Sequence, residues 1–234
     1  MVREISVGRV QEGPRLEDQA RYVYAIVKGL PRRWRPPASG VGASPVVAHA
    51  VRDLVLISSV VDAVPSPTPR SVALHEAVLL STLEADAVLP LAFGTVLPVP
   101  HVETWLAVHR MLIRTHLARL RRHVEMTVRL VSLGTDGPVG SALRATAERV
   151  VERAGLPEWR YRDDGGAGFS SSLSFLVPRE GVADFLTRIG PIAARAGRVA
   201  VVPTGPWAPC SFTPRLAPVP GAARPMPEPL ARAG

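Results

Sequence analysis

Cysteine and lysine are almost absent from the sequence: Cys210 and Lys28 are the only examples among 234 residues. A single cysteine excludes an internal disulfide, a zinc site made of several cysteines and an iron–sulfur cluster. It is also typical of proteins in a reducing cytosol, where disulfides are rare. We therefore expect a cytoplasmic protein.

The sequence also lacks a long uninterrupted hydrophobic run. Its most apolar region, residues 41–64, is interrupted by His49, Arg52, Asp53 and Asp62. A membrane-spanning helix needs about 20 predominantly apolar residues, and the first residues lack the apolar core of a signal peptide. The pattern predicts a soluble protein that does not span a membrane.

The charge is strongly basic, with a formal net charge of +8, but the arginines are spread over the whole chain. The densest run consists of Arg119, Arg121 and Arg122, which is too short to form a phosphate-binding surface by itself. A solvated surface explains this charge better than a nucleic-acid partner does. The hydrophobic content of 47% and the charged content of 21% are those of an ordinary globular protein.

Proline and glycine clusters divide the first half of the chain into short elements. A flexible lead is expected over residues 1–19, and a small α+β domain over residues 20–122. Pro90 indicates that its strand lies at a sheet edge or is bent. The predicted elements are a strand at 22–27, a hairpin at 46–51 and 54–61, a helix at 71–85, an extended segment at 88–97 and a long bridging helix at 101–122.

The second half is predicted as strand, helix, strand, helix, strand. Helical crossovers between strands are typical of ferredoxin-like folds, so we expect a ferredoxin-like domain at residues 123–213. The fold class is therefore α+β, with two small domains and disordered ends, including a tail rich in proline and alanine at 214–234. The predicted elements are strands at 124–131, 169–177 and 198–202, helices at 139–154 and 180–189, and a glycine-rich loop at 160–168.

Histidines do not form a recognisable metal site. His109, His116 and His123 are spaced by seven residues, which is about 10.5 Å along a helix and too far apart for two of them to bind one ion. His75 begins a sequence like that of a zinc-protease helix, but Leu79 stands where the second histidine is required. No metal and no cofactor are expected.

The possible nucleophiles are three serines and the cysteine. Ser170, Ser171 and Ser172 lie inside a predicted strand, without the glycine that a nucleophile elbow requires. Cys210 has no histidine nearby in the sequence and is more typical of inert filler. No catalytic residue is predicted, and a small hydrolase using Cys210 or a serine is a weak alternative.

The segment 204–213 is the most informative part of the sequence. Pro206 and Pro209 remove two backbone donors, so this segment cannot continue the preceding run as a central strand. We expect it to leave the sheet and to hold Trp207 and Phe212 as apolar anchors that close the core. Partner docking is the alternative role. If the Trp207 ring is buried, Trp207→Ala should cost roughly 3 to 5 kcal/mol.

Four stretches in the same order resemble the GvpL/GvpF family of gas vesicle proteins: residues 22–27, 88–96, 124–126 and 205–212. The central Leu-Pro-x-x-Phe-Gly-Thr and the closing Gly-Pro-Trp-x-Pro-x-Ser-Phe are the most specific. Two positions depart from the family pattern, Ala92 from an arginine and Cys210 from a tyrosine. The candidate structural or partner-binding residues are Pro90, Phe93, Gly94, Thr95, Gly205, Pro206, Trp207, Pro209, Ser211 and Phe212.

The resemblance implies a two-domain α+β protein without known catalysis, located in the cytoplasm at the gas vesicle. It implies an accessory or minor structural role in gas vesicle assembly, with the hydrophobic shell protein and other gas vesicle accessory proteins as partners. The alternative is a basic ferredoxin-like nucleic-acid-binding module. That alternative is disfavoured because the predicted strands lack the aromatic residues that stack bases.

Overall fold

The computed structural model describes residues 20–134, 139–164, 170–195 and 197–216. The predicted flexible lead at 1–19 lies outside these residues, as does the tail from residue 217 onward. The same holds for the turn at Gly137 and Pro138 and for residues 165–168 of the predicted glycine-rich loop.

An antiparallel sheet forms the first half of the described chain. Its strands have the order β2-β3-β1-β4, and β5 pairs with β1 beside β4. Pro90 ends β4 at one edge of this sheet, as the sequence predicts. The strands are β1 (Ala20–Lys28), β2 (Val47–Val51), β3 (Leu54–Val61), β4 (Ala87–Pro90) and β5 (Val96–Pro98).

Helices cover both faces of this first sheet. Helix α1 (Pro69–Ser81) covers one face, and it begins at a capping box formed by Thr68 and Ser71. Helices α2 (Val102–Val108) and α3 (Arg110–Arg119) cover the other face. Because β1 is buried on both faces, residues 22–27 form an unbroken apolar run instead of an alternating one.

The long helix predicted at residues 101–122 is wrong in one respect, because it is broken at His109 into α2 and α3. His109 has a φ of −91° and a ψ of 4°, outside the helical range, and both its N–H and its Nδ1 atom lie within 3.1 Å of the Trp105 carbonyl oxygen. On α3, Leu112 is 41% exposed, although its neighbour Ile113 is buried.

A second antiparallel sheet has the strand order β7-β8-β6-β9. Together with two helices it forms a strand-helix-strand-strand-helix-strand unit, which is the element order of ferredoxin-like folds. Both helices pack on one face of the sheet and bury a core around Val128, Phe175 and Ile189. The elements are β6 (His123–Ser132), α4 (Val139–Ala154), β7 (Trp159–Asp163), β8 (Ser170–Pro178), α5 (Val182–Arg195) and β9 (Val199–Trp207).

Two expectations for the second half are corrected. Strand β7 lies where a loop was predicted, at the edge of the sheet with every residue exposed. Helix α5 continues through Gly190 and Pro191, where it was expected to stop. Ile189 and Ile192 lie three residues apart and both pack against the second core, which holds the final turn in place.

Backbone and side-chain hydrogen bonds join the two sheets near the end of α3. The Arg122 N–H donates to the Asp86 carbonyl at 2.7 Å, and the Arg179 N–H donates to the Arg122 carbonyl at 2.8 Å. The Arg179 guanidinium also donates to the Ala85 carbonyl at 2.7 Å.

None of the helices in the described part of the chain has the length and apolar character of a membrane-spanning helix.

Candidate functional site

The segment at residues 204–213, called here the closing segment, begins inside β9. This strand extends to Trp207 instead of ending at Val202. The strand tolerates Pro203 and Pro206 because β9 is an edge strand. Gly205 has a φ of +124°, and a Cβ at this position would lie 2.8 Å from the Met126 sulfur and 2.9 Å from the Glu125 carbonyl oxygen. Only glycine fits this close approach of two strands. The Gly205–Pro206 peptide bond is cis.

Trp207 does not close the core as the sequence suggested. It is 40% exposed, and its indole N–H donates to the Thr204 hydroxyl at 3.3 Å. Because the ring is not buried, Trp207→Ala is not expected to lower the free energy of unfolding by roughly 3 to 5 kcal/mol. The exposed ring lies at the end of an edge strand, where it is accessible to another molecule.

The next residues contact both faces of the first sheet. Ala208 is buried in the cluster between the sheet and α1. Phe212 is only 2% exposed and lies in the cluster between the sheet and helices α2 and α3. Pro209, between them, is also buried. The closing segment therefore connects β9 of the second sheet to the two cores of the first.

A buried carboxylate holds this segment in place. Glu125 on β6 is 6% exposed, and it accepts a 2.8 Å hydrogen bond from the Ser211 N–H and a 2.7 Å bond from the Ser211 hydroxyl. The same hydroxyl lies 3.2 Å from that of Ser174. Each carboxylate oxygen thus has a donor, which offsets much of the cost of burying the charge.

A second polar contact fixes the carbonyl end of the segment. The Arg119 guanidinium on α3 donates to both carboxylate oxygens of Glu158 and, at 3.3 Å, to the Phe212 carbonyl. Hydrogen bonds from Arg119 hold the pKa of the Glu158 carboxyl below its usual value. The Arg160 guanidinium lies 5.4 Å from the centre of the Phe212 ring, within cation–π range. Sequence reasoning did not identify Glu125, Arg119 or Glu158, because each is brought to the segment from a distant element.

The central motif, residues 88–96, contains the turn between β4 and β5. Gly94 has a φ of +83°, and its N–H donates to the Tyr22 hydroxyl at 3.2 Å. Thr95 closes the turn, since its hydroxyl donates to the Ala92 carbonyl at 2.7 Å. Phe93 packs edge-on against the rings of Tyr22 and His75. The motif therefore stabilises the core between the first sheet and α1.

His75 lies at the centre of this aromatic group. It is 6% exposed, and its Nδ1 atom lies 2.9 Å from the Tyr22 hydroxyl. Burial lowers the pKa of His75 to about 4, although the Leu91 carbonyl acts in the opposite direction. The imidazole is neutral at pH 7 and serves as a hydrogen-bonded core residue.

The central and closing motifs border one core cluster but are not joined into one reactive site. Phe93 and Ala208 both contact the cluster that contains Tyr22 and Tyr24. Among the described residues, no hydrogen bond connects the two motifs. The arrangement is a structural framework built from β1, α1 and the end of β9.

The nucleophile candidates lack the partners that catalysis requires. The Ser172 hydroxyl donates to Asp164 at 2.6 Å, but this pair has no histidine. Burial favours a higher pKa at Asp164, but hydrogen bonds from Ser172 and Arg162 outweigh it and hold the pKa below its usual value. Although Cys210 reaches the surface, the packing around its sulfur and the charge of Glu125 raise the pKa of the thiol to about 12. Among the described residues, no cluster of histidine, cysteine and carboxylate side chains is arranged to hold a metal ion.

The open face of the second sheet is basic but does not present a stacking platform. Arg129 and Arg162 both contact Asp164, which offsets part of their charge. The central strands place Thr127 and Ser172 on this face, where base-stacking sheets carry aromatic residues. The nucleic-acid alternative therefore gains little from the structure.

Comparisons with known proteins identify relatives at the level of family and fold. Residues 20–134 match the family model described as gas vesicle synthesis protein GvpL/GvpF. A crystal structure of the gas vesicle protein GvpF from Anabaena sp. PCC7120 has a TM-score of 0.69 and 16% identity, covering 84% of this chain and 96% of that chain. The GvpF structure from Microcystis aeruginosa has a TM-score of 0.68 and 16% identity, covering 82% and 98%. No curated protein matches the sequence.

The family match covers the first sheet with its helices and strand β6, and the two structural matches extend the shared fold over the second sheet. The motifs at residues 22–27, 88–96 and 124–126 lie within the matched range, and residues 205–212 pack against it. By this match, the segment of residues 20–134 belongs to the GvpL/GvpF family of gas vesicle synthesis proteins.

Proposed function

We propose that this chain is a non-enzymatic accessory or minor structural protein of gas vesicle assembly. In this role it binds the hydrophobic shell protein, other gas vesicle accessory proteins, or both. Membership of a family described by gas vesicle synthesis is the observation that carries the proposal. The proposed site of action is the cytoplasm, at the growing vesicle.

The roles of the two motifs support a binding protein better than an enzyme. Glu125 and Ser211 satisfy each other, and His75 is bonded to Tyr22 inside the core. These polar groups stabilise the fold, so we assign the binding function to the surface.

The break between α2 and α3 provides an apolar surface for such a partner. Val108 is 72% exposed, Met111 is 75% exposed and Leu112 is 41% exposed, and the three lie within five residues of each other. A shell subunit with large apolar surfaces aggregates unless that surface is covered before assembly. We infer that this apolar surface binds such a subunit transiently.

Co-expression with the candidate shell protein followed by affinity purification tests the proposal. The wild-type chain should retain the shell protein, and a chain carrying Val108→Ser and Met111→Ser should lose most of it. Leu186→Ser is a matched control, because Leu186 is a 39% exposed residue on a different helix. Absence of any gas vesicle protein from the wild-type eluate would contradict the proposed function, and equal loss with the control would contradict the assigned surface.

A further inference from the structure

Strand β2 is an exposed edge of the first sheet, and it consists mainly of apolar residues. It lies at the end of the strand order and pairs only with β3 in the described part of the chain. Its sequence is Val-Ala-His-Ala-Val, without proline, lysine, arginine or a carboxylate. Residues 47–50 are exposed and Val51 is half-buried. An edge of this kind is accessible to pairing with a further strand.

The other edge strands of the two sheets carry residues that oppose such pairing. Strands β4 and β5, on the opposite side of the first sheet, each end with a proline. In the second sheet, β7 carries two arginines and β9 two prolines. Charged residues and prolines are the usual means by which proteins protect a sheet edge. The residues concerned are Pro90, Pro98, Arg160, Arg162, Pro203 and Pro206.

The hairpin turn determines which residues of β2 face the open edge. Val51 and Leu54 flank the two-residue turn and lie opposite each other, so they exchange backbone hydrogen bonds. Along an antiparallel ladder, such pairs alternate with pairs that do not bond. His49 therefore bonds to β3, whereas Ala48 and Ala50 direct their N–H and C=O groups away from the sheet.

The sequence of β2 is the same in both directions about His49. If a second copy pairs antiparallel with a two-fold axis at His49, Ala48 lies opposite Ala50 of the second copy, and Val47 lies opposite Val51. The alanines are the residues whose backbone groups face outward, so each alanine pair can exchange two hydrogen bonds. The valine pairs add contacts between β-branched side chains. The register that hydrogen bonding allows is thus also the one in which the side chains match.

Charge favours a second copy at β2 and disfavours one at β7. In the two-fold pairing at His49, the two copies of Arg52 lie at opposite ends of the contact, about 20 Å apart at the rise of a β-strand. The same arrangement of β7 about Tyr161 would place Arg160 opposite Arg162 of the second copy. Like charges directly opposite each other destabilise a strand pair.

We propose that two copies of this chain associate through β2, with a two-fold axis at His49 that joins their first sheets into one continuous sheet. The same edge serves both copies, as in other two-fold interfaces. The strand has five residues, and a contact of this length is smaller than the roughly 1,200 Å² typical of stable complexes. The dimer therefore dissociates on dilution. This association does not depend on the proposed role in gas vesicle assembly.

Disulfide cross-linking of the full chain tests the register. In a Cys210→Ala background, His49→Cys places one thiol on each side of the axis, at a pair whose Cα atoms lie about 4.5 Å apart. That separation is within the range of a disulfide. Ala48→Cys is the matched control, because its two copies lie diagonally, about 7 to 8 Å apart. The change at residue 49 should give at least a fivefold higher yield of covalent dimer under mild oxidation, and equal yields would overturn the proposal.

Sedimentation velocity over a concentration series from micromolar to millimolar provides an independent measurement. The wild-type chain should form dimers, whereas His49→Asp and His49→Lys should each weaken association about tenfold, because like charges then meet at the axis. Mixing these two variants should restore the dimer, which also shows that both are folded. Tyr161→Asp and Tyr161→Lys, the same changes on the exposed edge strand β7, are the matched controls and should have no effect.

A wild-type chain that stays monomeric throughout the series would overturn the proposal. So would a dimer that both His49 variants leave unchanged, since another surface would then form it. Failure of the mixed variants to associate would overturn the two-fold pairing at His49.

Discussion

The contact between Glu125 and Ser211 should contribute strongly to the stability of the folded chain. Ser211→Ala removes one of two hydrogen bonds to a buried carboxylate, the 2.7 Å bond from the hydroxyl. Hydrogen bonds to charged groups contribute about 1.5 to 3 kcal/mol, so the free energy of unfolding should fall by that amount. Glu125→Ala should cost more, about 3 to 5 kcal/mol, because both bonds are lost and the Ser211 N–H is left unpaired.

A double-mutant cycle measured by urea denaturation separates this contact from general packing effects. The coupling free energy between Glu125→Ala and Ser211→Ala should be about 1.5 to 3 kcal/mol. Thr213→Ala is the matched control: it removes a bond to the Cys210 carbonyl on the same segment, and its coupling to Glu125→Ala should stay within about 0.5 kcal/mol. A coupling as small as that of the control would refute the view that this carboxylate anchors the closing segment.

Three further predictions follow from the positions of single residues. The folded-state pKa of His75 is about 4, below its ordinary value, so the unfolded chain binds more protons than the folded chain between about pH 6.5 and pH 4. The free energy of unfolding should therefore be at its full value above about pH 6.5 and should fall by about 3 kcal/mol as the pH is lowered toward about 4. Urea titrations at several pH values should show this fall, and it should be smaller in His75→Gln. Trp207→Ala should lower the free energy of unfolding by less than about 1.5 kcal/mol, whereas Phe212→Ala should cost about 3 to 5 kcal/mol; similar melting temperatures for the two variants would contradict these burial assignments. Gly205→Ala should be more destabilising than Gly94→Ala, since both positions have positive φ but only Gly205 lacks space for a Cβ, and thermal unfolding of the two variants gives the comparison.

Periodicity predicted most of the secondary structure because burial in this fold follows the chain locally. The alternation in β6 and the apolar face of α4 are both visible in the sequence. Strand β7 was missed because it is short, exposed and rich in arginine, although its aromatic residues at 159 and 161 also alternate. The helix break at His109 is not predicted because the sequence does not mark it: residues 108–110 contain neither proline nor glycine.

The candidate site was predictable only in part. Sequence patterns placed the closing segment after the last strand, but they do not distinguish Trp207 from Phe212 as the buried ring. That choice depends on the first sheet, whose core receives Phe212 while Trp207 remains on an edge strand. Glu125 occupies an alternating polar position in β6, and its burial becomes apparent only when residues 208–212 fold over it.

Gas vesicle formation in a strain that lacks this chain is the most direct test of the proposed function. Vesicles are counted by electron microscopy in the deletion strain, in the strain complemented with the wild-type chain, and in one complemented with Val108→Ser and Met111→Ser. We expect few or malformed vesicles in the deletion strain, recovery with the wild-type chain and poor recovery with the surface variant. Normal vesicles in the deletion strain would contradict an assembly role for this protein.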